Sequence, residues 1–448
     1  MKVFKSLIVS LLVLLPSSSF FWPSYFQSKI ASGEVTHFDH KMAEQFAYLP
    51  LLTYSLTKEI RFSPPWLRKA SIIGLYDGAI AYQLAEYYET KQQRYQQKIW
   101  LQKAVELNQL MAVIALANIY QQSGDYDFFQ NLTSAFIDDP TILALVIREA
   151  IKQEDHERAM ALVSKLGDIP ELVSLRNKLI RYGIHSQDLS LKPPFLPQSD
   201  CDNSLQFYAT NVEDLEYLEQ LIHDVKSKQL ADFFCFLPVQ YIPLTLLDCS
   251  HFEHEVIQCN ERNWPEKIKK TNNRYVGFLL PHGGANVYSG VLYIDRRDTV
   301  EVLAHELTHL LGFVDEYALK KGHDFCQVTS VKMSLNSVIL PTYYSGHRSE
   351  IRKEIIRQLP WGQFIQPSTP LLIKQENKWL VGTPAHYTNE IGLFPSKTCT
   401  NNKNNSFKPM QVRTLLEYYE EPLPELYLNL YKQNNKKYLM PSAQLLLR

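Results

Sequence analysis

Between about residues 40 and 185 the hydrophobic and polar positions follow a helical period with few strand signals, and the pattern predicts helix after helix. Leu84-Ala85 with Tyr88 returns as Leu116-Ala117 with Tyr120, an offset of 32 residues, and segments of similar size follow around Leu145 and Ala159. Small residues where helices touch, with Tyr or Leu filling the gaps between stacked pairs, are the logic of a tetratricopeptide-type array; a plain helical bundle satisfies the same pattern. Pro193, Pro194 and Pro197 interrupt the helical period and mark a linker. Beyond them Leu205 to Thr210 reads as a strand, and Asn211 caps a helix running to about Ser227. Phe233 to Tyr241, Tyr275 to Leu280 and Val291 to Ile294 read as further strands. The expected fold class is α+β, with an all-α helical-repeat domain at 35–190 and a strand-containing domain at 200–448.

The last strand leads into a helix with an apolar stripe of Leu303, Leu307, Leu310 and Val314, and Asp298 with Glu301 reads as its N-cap and N3 pair. The other face carries His305 and His309. Residues four apart share a helix face, so the two imidazoles can close on one metal ion while Glu306 sits beside the water as general base. Gly312 tolerates the positive φ that ends a helix, which lets the chain double back and bring Asp315 to the same ion. The alternative is an ordinary helix with surface histidines. Just before it, Pro281-His282-Gly283-Gly284-Ala285-Asn286-Val287 reads either as a glycine hairpin loop or as a connection bringing backbone to a cleft, where an edge strand could take up an extended peptide. His282 is expected in the loop and not on the metal.

At 448 residues with 45% hydrophobic content, the chain is long enough for two or three domains with sizeable cores. Forty-six Lys and Arg against 47 Asp and Glu leave no net field for nucleic acid, and Gly283-Gly284 has no following Lys-Ser/Thr to cradle phosphate. Lys2 and Lys5, the apolar run Leu7 to Leu15, then Pro16 and three serines have the layout of a secretory signal. Residues 1–22 therefore read as a signal peptide or, lengthened by Phe20, Phe21 and Trp22, as an N-terminal anchor. Export to a periplasmic or secreted location is expected, with membrane contact only if this segment is retained. All six cysteines follow residue 200, and an even set in an exported chain predicts disulfides; proximity suggests Cys249 with Cys259 and Cys326 with Cys399. No Cys-x-x-Cys pair offers a thiolate zinc site or redox motif.

The stretch His305-Glu306-Leu307-Thr308-His309-Leu310-Leu311-Gly312-Phe313-Val314-Asp315-Glu316-Tyr317 resembles the signature His-Glu-x-x-His-x-x-Gly-x-x-Asp-Glu-Tyr of the IgA-peptidase family of zinc metallopeptidases. Pro360-Trp361 looks like that family's Lys-Trp position, and Gly392-Leu393-Phe394 with Phe407-Lys408-Pro409 looks like its Gly-Leu-Phe and Tyr-Arg-Pro elements. The resemblance spans roughly residues 200 to 415. It implies a metzincin-like domain with one zinc ion per chain on His305, His309 and Asp315, and Glu306 as base. Pro395-Ser396 stands where the family tends to carry Glu-Gly, and the methionine expected beneath the metal is out of register, with Met410 the nearest candidate and Met333 the alternative.

The expected activity is zinc-dependent hydrolysis of peptide bonds in a protein or peptide substrate, with Tyr317, His323, Tyr343 and Tyr344 as candidate oxyanion donors. The helical repeat region offers a surface for a protein partner. A second reading takes the third ligand from Glu350 or Glu354, although the alternating charges of Ser349 to Glu354 equally describe a solvated helix face. A third makes the protein a helical-repeat interaction module with a structural or inactive zinc domain; an intact Glu306 argues against it, because a structural site needs no base.

Overall fold

The computed structural model describes residues 21–184, 201–250, 258–264, 268, 273–327 and 333–447. The expected linker at Pro193–Pro197 and all but the last two positions of the N-terminal segment lie outside them. The protein is α+β, with helices in its N-terminal part and sheets in its C-terminal part, and divides into two compact units, residues 1–146 and 147–448. Among the described residues no helix is long and apolar enough to cross a membrane.

The first unit begins with α1 (21–32), α2 (His37–Gln45), α3 (Leu49–Leu56) and α4 (Pro64–Ile73), which enclose Phe26, Leu51, Leu52 and Trp66. Local chemistry starts these helices: Thr36 and Asp39 form a reciprocal capping box at α2, and Ser63 followed by proline opens α4. Two helical hairpins follow, α5 (Gly78–Thr90) with α6 (Arg94–Glu106) and α7 (Leu110–Ser123) with α8 (Tyr126–Ser134). They start 32 residues apart, which is the offset in the sequence; Leu84-Ala85 and Leu116-Ala117 are among the buried positions of α5 and α7. The division between the units falls within α9 (Pro140–Lys152).

In the second unit, α10 (His156–Val163) and α11 (Val173–Arg181) precede a mixed sheet. Its strands β1 (Ser204–Ala209), β6 (Tyr275–Leu280) and β8 (Val291–Asp295) run parallel and are buried along their whole length, mostly through apolar side chains. Between them lies α12 (Val212–Val225), capped by Asn211, whose Glu216 receives Arg148 and Lys178 and whose Glu219 receives Arg181. The expected strand at Phe233–Tyr241 is broken into β2 (Cys235–Phe236) and β3 (Gln240–Tyr241), both parallel to β1. Pro238 explains the break, because it has no N–H to give to a ladder. The glycine stretch is not a hairpin loop but the connection from β6 to β7 that approaches the cleft: β7 (Asn286–Tyr288) pairs antiparallel with β8 across the Ser289-Gly290 turn and forms the sheet edge.

Around this core lie β4 (Cys249–Ser250) with β5 (Gln258–Cys259), and the small sheets β9 (Val338–Ile339) with β13 (Phe394–Ser396) and β14 (Ser406–Lys408), and β10 (Tyr343–Tyr344) with β11 (Leu372–Gln375) and β12 (Lys378–Val381). The remaining helices are α13 (Val300–Leu310), α14 (Arg348–Gln358), α15 (Glu425–Tyr438) and α16 (Ala443–Leu447). All six cysteines pair, as Cys249–Cys259, Cys326–Cys399 and a third bridge, Cys201–Cys235, that proximity did not suggest. Such bridging is compatible with an oxidising, exported environment.

Candidate metal centre

The N-cap of helix α13 is Thr299, not Asp298, and the expected Asp298–Glu301 cap pair is replaced by other partners. Asp298 accepts the Asp295 N–H at 2.6 Å, and Glu301 accepts the Thr299 hydroxyl at 2.8 Å. Asp295, 1% exposed, accepts the N–H groups of Gly284 at 2.9 Å and Arg297 at 2.7 Å and the Arg297 guanidinium at 2.5 Å. This one carboxylate thus ties the loop before β7 to the start of α13. Burial opposes its charge, but the Arg297 side chain and the two N–H groups hold its pKa down at about 2.

Leu303, Leu307 and Leu310 bury the core face of α13, and the helix stops as the sequence requires. Gly312 has φ +95°, and a Cβ there would lie 2.0 Å from the Tyr438 carbonyl oxygen, so both the turn and the close approach of the C-terminal segment demand glycine. The Leu310 carbonyl left over at the helix end accepts the Tyr275 hydroxyl at 2.9 Å and the Met440 N–H at 3.2 Å.

His305, His309 and Asp315 converge, and they are the group among the described residues that could hold a metal ion. His305 Nε2 lies 3.0 Å from Asp315 Oδ1, His309 Nε2 lies 3.2 Å from the same oxygen, and the two Nε2 atoms are 3.1 Å apart. Three ligands at about 2.0–2.1 Å in tetrahedral arrangement would stand about 3.3 Å from one another, so the triangle fits one small ion. The far side of each ring supports this. His305 Nδ1 lies 2.8 Å from the Leu415 carbonyl and His309 Nδ1 lies 3.1 Å from the Phe313 carbonyl. A proton on each Nδ1 satisfies those carbonyls and leaves each Nε2 with its lone pair toward the centre. With both rings neutral and protonated on Nδ1, the buried Asp315 Oδ1 has no hydrogen-bond donor, a state that a cation at the centre would relieve.

The field at the centre favours positive charge. Burial alone would lower the His309 pKa, yet the Asp315 and Glu306 carboxylates raise it to about 10. Asp315 is likewise held far below the carboxylate range, its burial outweighed by the two imidazoles. Glu306, 4% exposed, shifts the other way because burial dominates, and its Oε2 has no hydrogen-bond partner.

Glu306, His309 and Asp315 line a cleft of about 900 Å3 that runs past Ala285 to Tyr288, so the edge strand forms one bank. Of the expected donors, Tyr317 and His323 line it; Tyr343 and Tyr344 lie in β10 and do not. Glu350 is exposed on α14 and Glu354 is occupied by Arg357 and Gln358, so neither joins the ligand group. Neither Met410 nor Met333 lines the cleft, whereas Met440 does, and beneath His305 it is the Leu415 carbonyl that makes contact. Sequence reasoning missed Tyr419, whose ring meets that of His305 edge-on with centroids 4.9 Å apart. The segments that carried the family resemblance also meet: Trp361 Nε1 donates to the Gly392 carbonyl at 2.8 Å, and Phe394 pairs with Lys408 across β13 and β14.

Comparison of the chain with models of known protein families and with curated proteins finds no match. Fold and site define an α+β protein with a two-histidine, one-aspartate group, His305 buried and the other two half-buried, that could hold a metal ion.

Proposed function

We propose that the protein is an exported zinc-dependent endopeptidase whose second unit is a metzincin-like domain resembling the IgA-peptidase family. The observation that carries this reading is Glu306 Oε2, buried, unpaired and opening on the same cleft as the three converging ligand atoms. Two imidazole nitrogens and one carboxylate oxygen in a small triangle suit zinc, with one ion per chain. The parallel sheet with an antiparallel edge strand beside the metal helix suits the proposed domain type.

When bound, zinc would supply Lewis acidity to a peptide carbonyl and acidify a water. Glu306 Oε2 takes the proton of the attacking water and passes it to the leaving amine nitrogen. The free backbone edge of β7 aligns an extended peptide by strand addition, which holds the scissile carbonyl over the ligand triangle. Tyr317 or His323 donates a hydrogen bond to the carbonyl oxygen as negative charge develops there. The helical hairpins would serve to dock a protein partner or present substrate. No observation favours a distal glutamate as third ligand, and an inert structural site leaves the unpaired Glu306 unexplained. The test is zinc analysis of the purified mature protein together with hydrolysis of a generic unfolded protein: zinc at one per chain with hydrolysis abolished by chelation supports the reading, and bound zinc with no hydrolysis overturns it in favour of a structural site.

A further inference from the structure

One buried acid lies outside this mechanism. Glu316, 1% exposed, follows the third ligand directly and points away from the cleft into the interior. Its Oε1 accepts the Tyr427 hydroxyl at 2.5 Å and Asn336 Nδ2 at 3.1 Å; its Oε2 accepts Lys408 Nζ at 2.8 Å and the Thr414 hydroxyl at 2.9 Å. Lys408 is 4% exposed, and Asn336, Thr414 and Tyr427 are fully buried. Four donors from three stretches of chain, at 336, 408–414 and 427, thus saturate one carboxylate.

The same partners reach the ligands. Asn336 also clamps the residue before Asp315, accepting the Val314 N–H at 3.0 Å and donating to its carbonyl at 2.8 Å. Thr414 accepts the Leu416 N–H at 3.2 Å, and the Glu316 N–H in turn donates to the Leu416 carbonyl at 2.9 Å. Between these two residues sits Leu415, whose carbonyl orients His305. Asp315, which stands on a loop beyond the helix, is therefore pinned on both sides, and the backbone that sets the His305 ring hangs on the same node.

We propose that Glu316 is a positioning residue of the metal centre: it holds Asp315 and the Leu415 carbonyl where the ligand triangle is already at chelating separation. The inference rests on the metal-binding reading and not on peptidase activity. A buried ion pair is by itself weak evidence for stability, since apolar groups of the same size often serve as well. What Glu316 adds is direction, because saturating both of its oxygens leaves the neighbouring Asp315 one orientation.

The test compares wild type, Glu316→Gln and Tyr427→Phe by zinc affinity in chelator competition, by the visible spectrum of the cobalt-substituted protein, and by thermal unfolding of the metal-free protein. Glu316→Gln should weaken zinc by about 10- to 100-fold, the range for partners of metal ligands, and change the cobalt band. Tyr427→Phe, which keeps every charge, should move both readings in the same direction by less, and it decides the matter if Glu316→Gln does not fold. Variants that lose thermal stability but keep zinc affinity within twofold and an unaltered cobalt spectrum would show a purely structural role and overturn the proposal. A wild-type protein that binds neither ion overturns the metal reading itself, an outcome the first measurement separates from the failure of Glu316.

Discussion

At the scale of single residues, the proposed chemistry rests on Glu306 Oε2 and Asp315 Oδ1, buried oxygens without a hydrogen-bond donor. Glu306→Gln preserves shape and removes the base, so zinc content should stay at one per chain while hydrolysis falls by about a hundredfold or more; turnover measured beside metal analysis checks it. Asp315→Ala should release zinc, whereas Glu350→Ala and Glu354→Ala should retain it, because only Asp315 lies with the two imidazoles. His305, Glu306, His309 and Asp315 were legible in the sequence because a helical turn and a glycine stop are local, so eleven consecutive residues position all four. Tyr419, the Leu415 carbonyl and the donors to Glu316 were not. They approach from residues 20 to 111 positions away from Glu316 or more than a hundred from His305, and no local period reports such encounters.

At the scale of elements, two joints decide whether the helix presents its ligands. Gly312→Ala would force a side chain into a left-handed turn and against the Tyr438 carbonyl, and should lower stability by at least about 2 kcal/mol in urea unfolding. The second joint is Asp295 between β8 and α13. Its folded pKa of about 2 lies below the unfolded value of about 3.9, so its contribution is complete above pH ~5 and is lost as pH falls toward 2. The size is at most about 2 kcal/mol, since Arg297 is solvent-exposed. Asp298 beside it has its carboxyl pushed up by burial and acts in the opposite sense, so the wild type and Asp295→Asn should be compared directly: their stability difference should shrink between pH 5 and 2.5. Helices and long strands matched their apolar patterns. The edge strand β7 did not announce itself, because three residues beside glycines carry too little pattern to distinguish a strand from a loop.

At the scale of the whole molecule, the three disulfides all lie beyond residue 200 and staple the unit that carries His305, His309 and Asp315. Denatured, unreduced mature protein should therefore show no free thiol, and peptide mapping should return Cys201–Cys235, Cys249–Cys259 and Cys326–Cys399. The last bridge closes the longest loop and packs against Val314 and Leu319 on either side of Asp315, so replacing both of its cysteines by serine should cost about 2–4 kcal/mol and weaken zinc binding. By itself the sequence determined the features that short-range spacing encodes: the α+β class, the 32-residue helical repeat, the two histidines on one helix face, the reversal at Gly312. Only the tertiary structure decided which carbonyls face the histidine Nδ1 atoms, which side chains surround Glu316, where the sheet has its edge, and which tyrosines pack against His305. Those depend on segments far apart in the chain that meet only when the core closes, and burial then makes each such meeting specific, because an unpaired polar group there has no water to turn to.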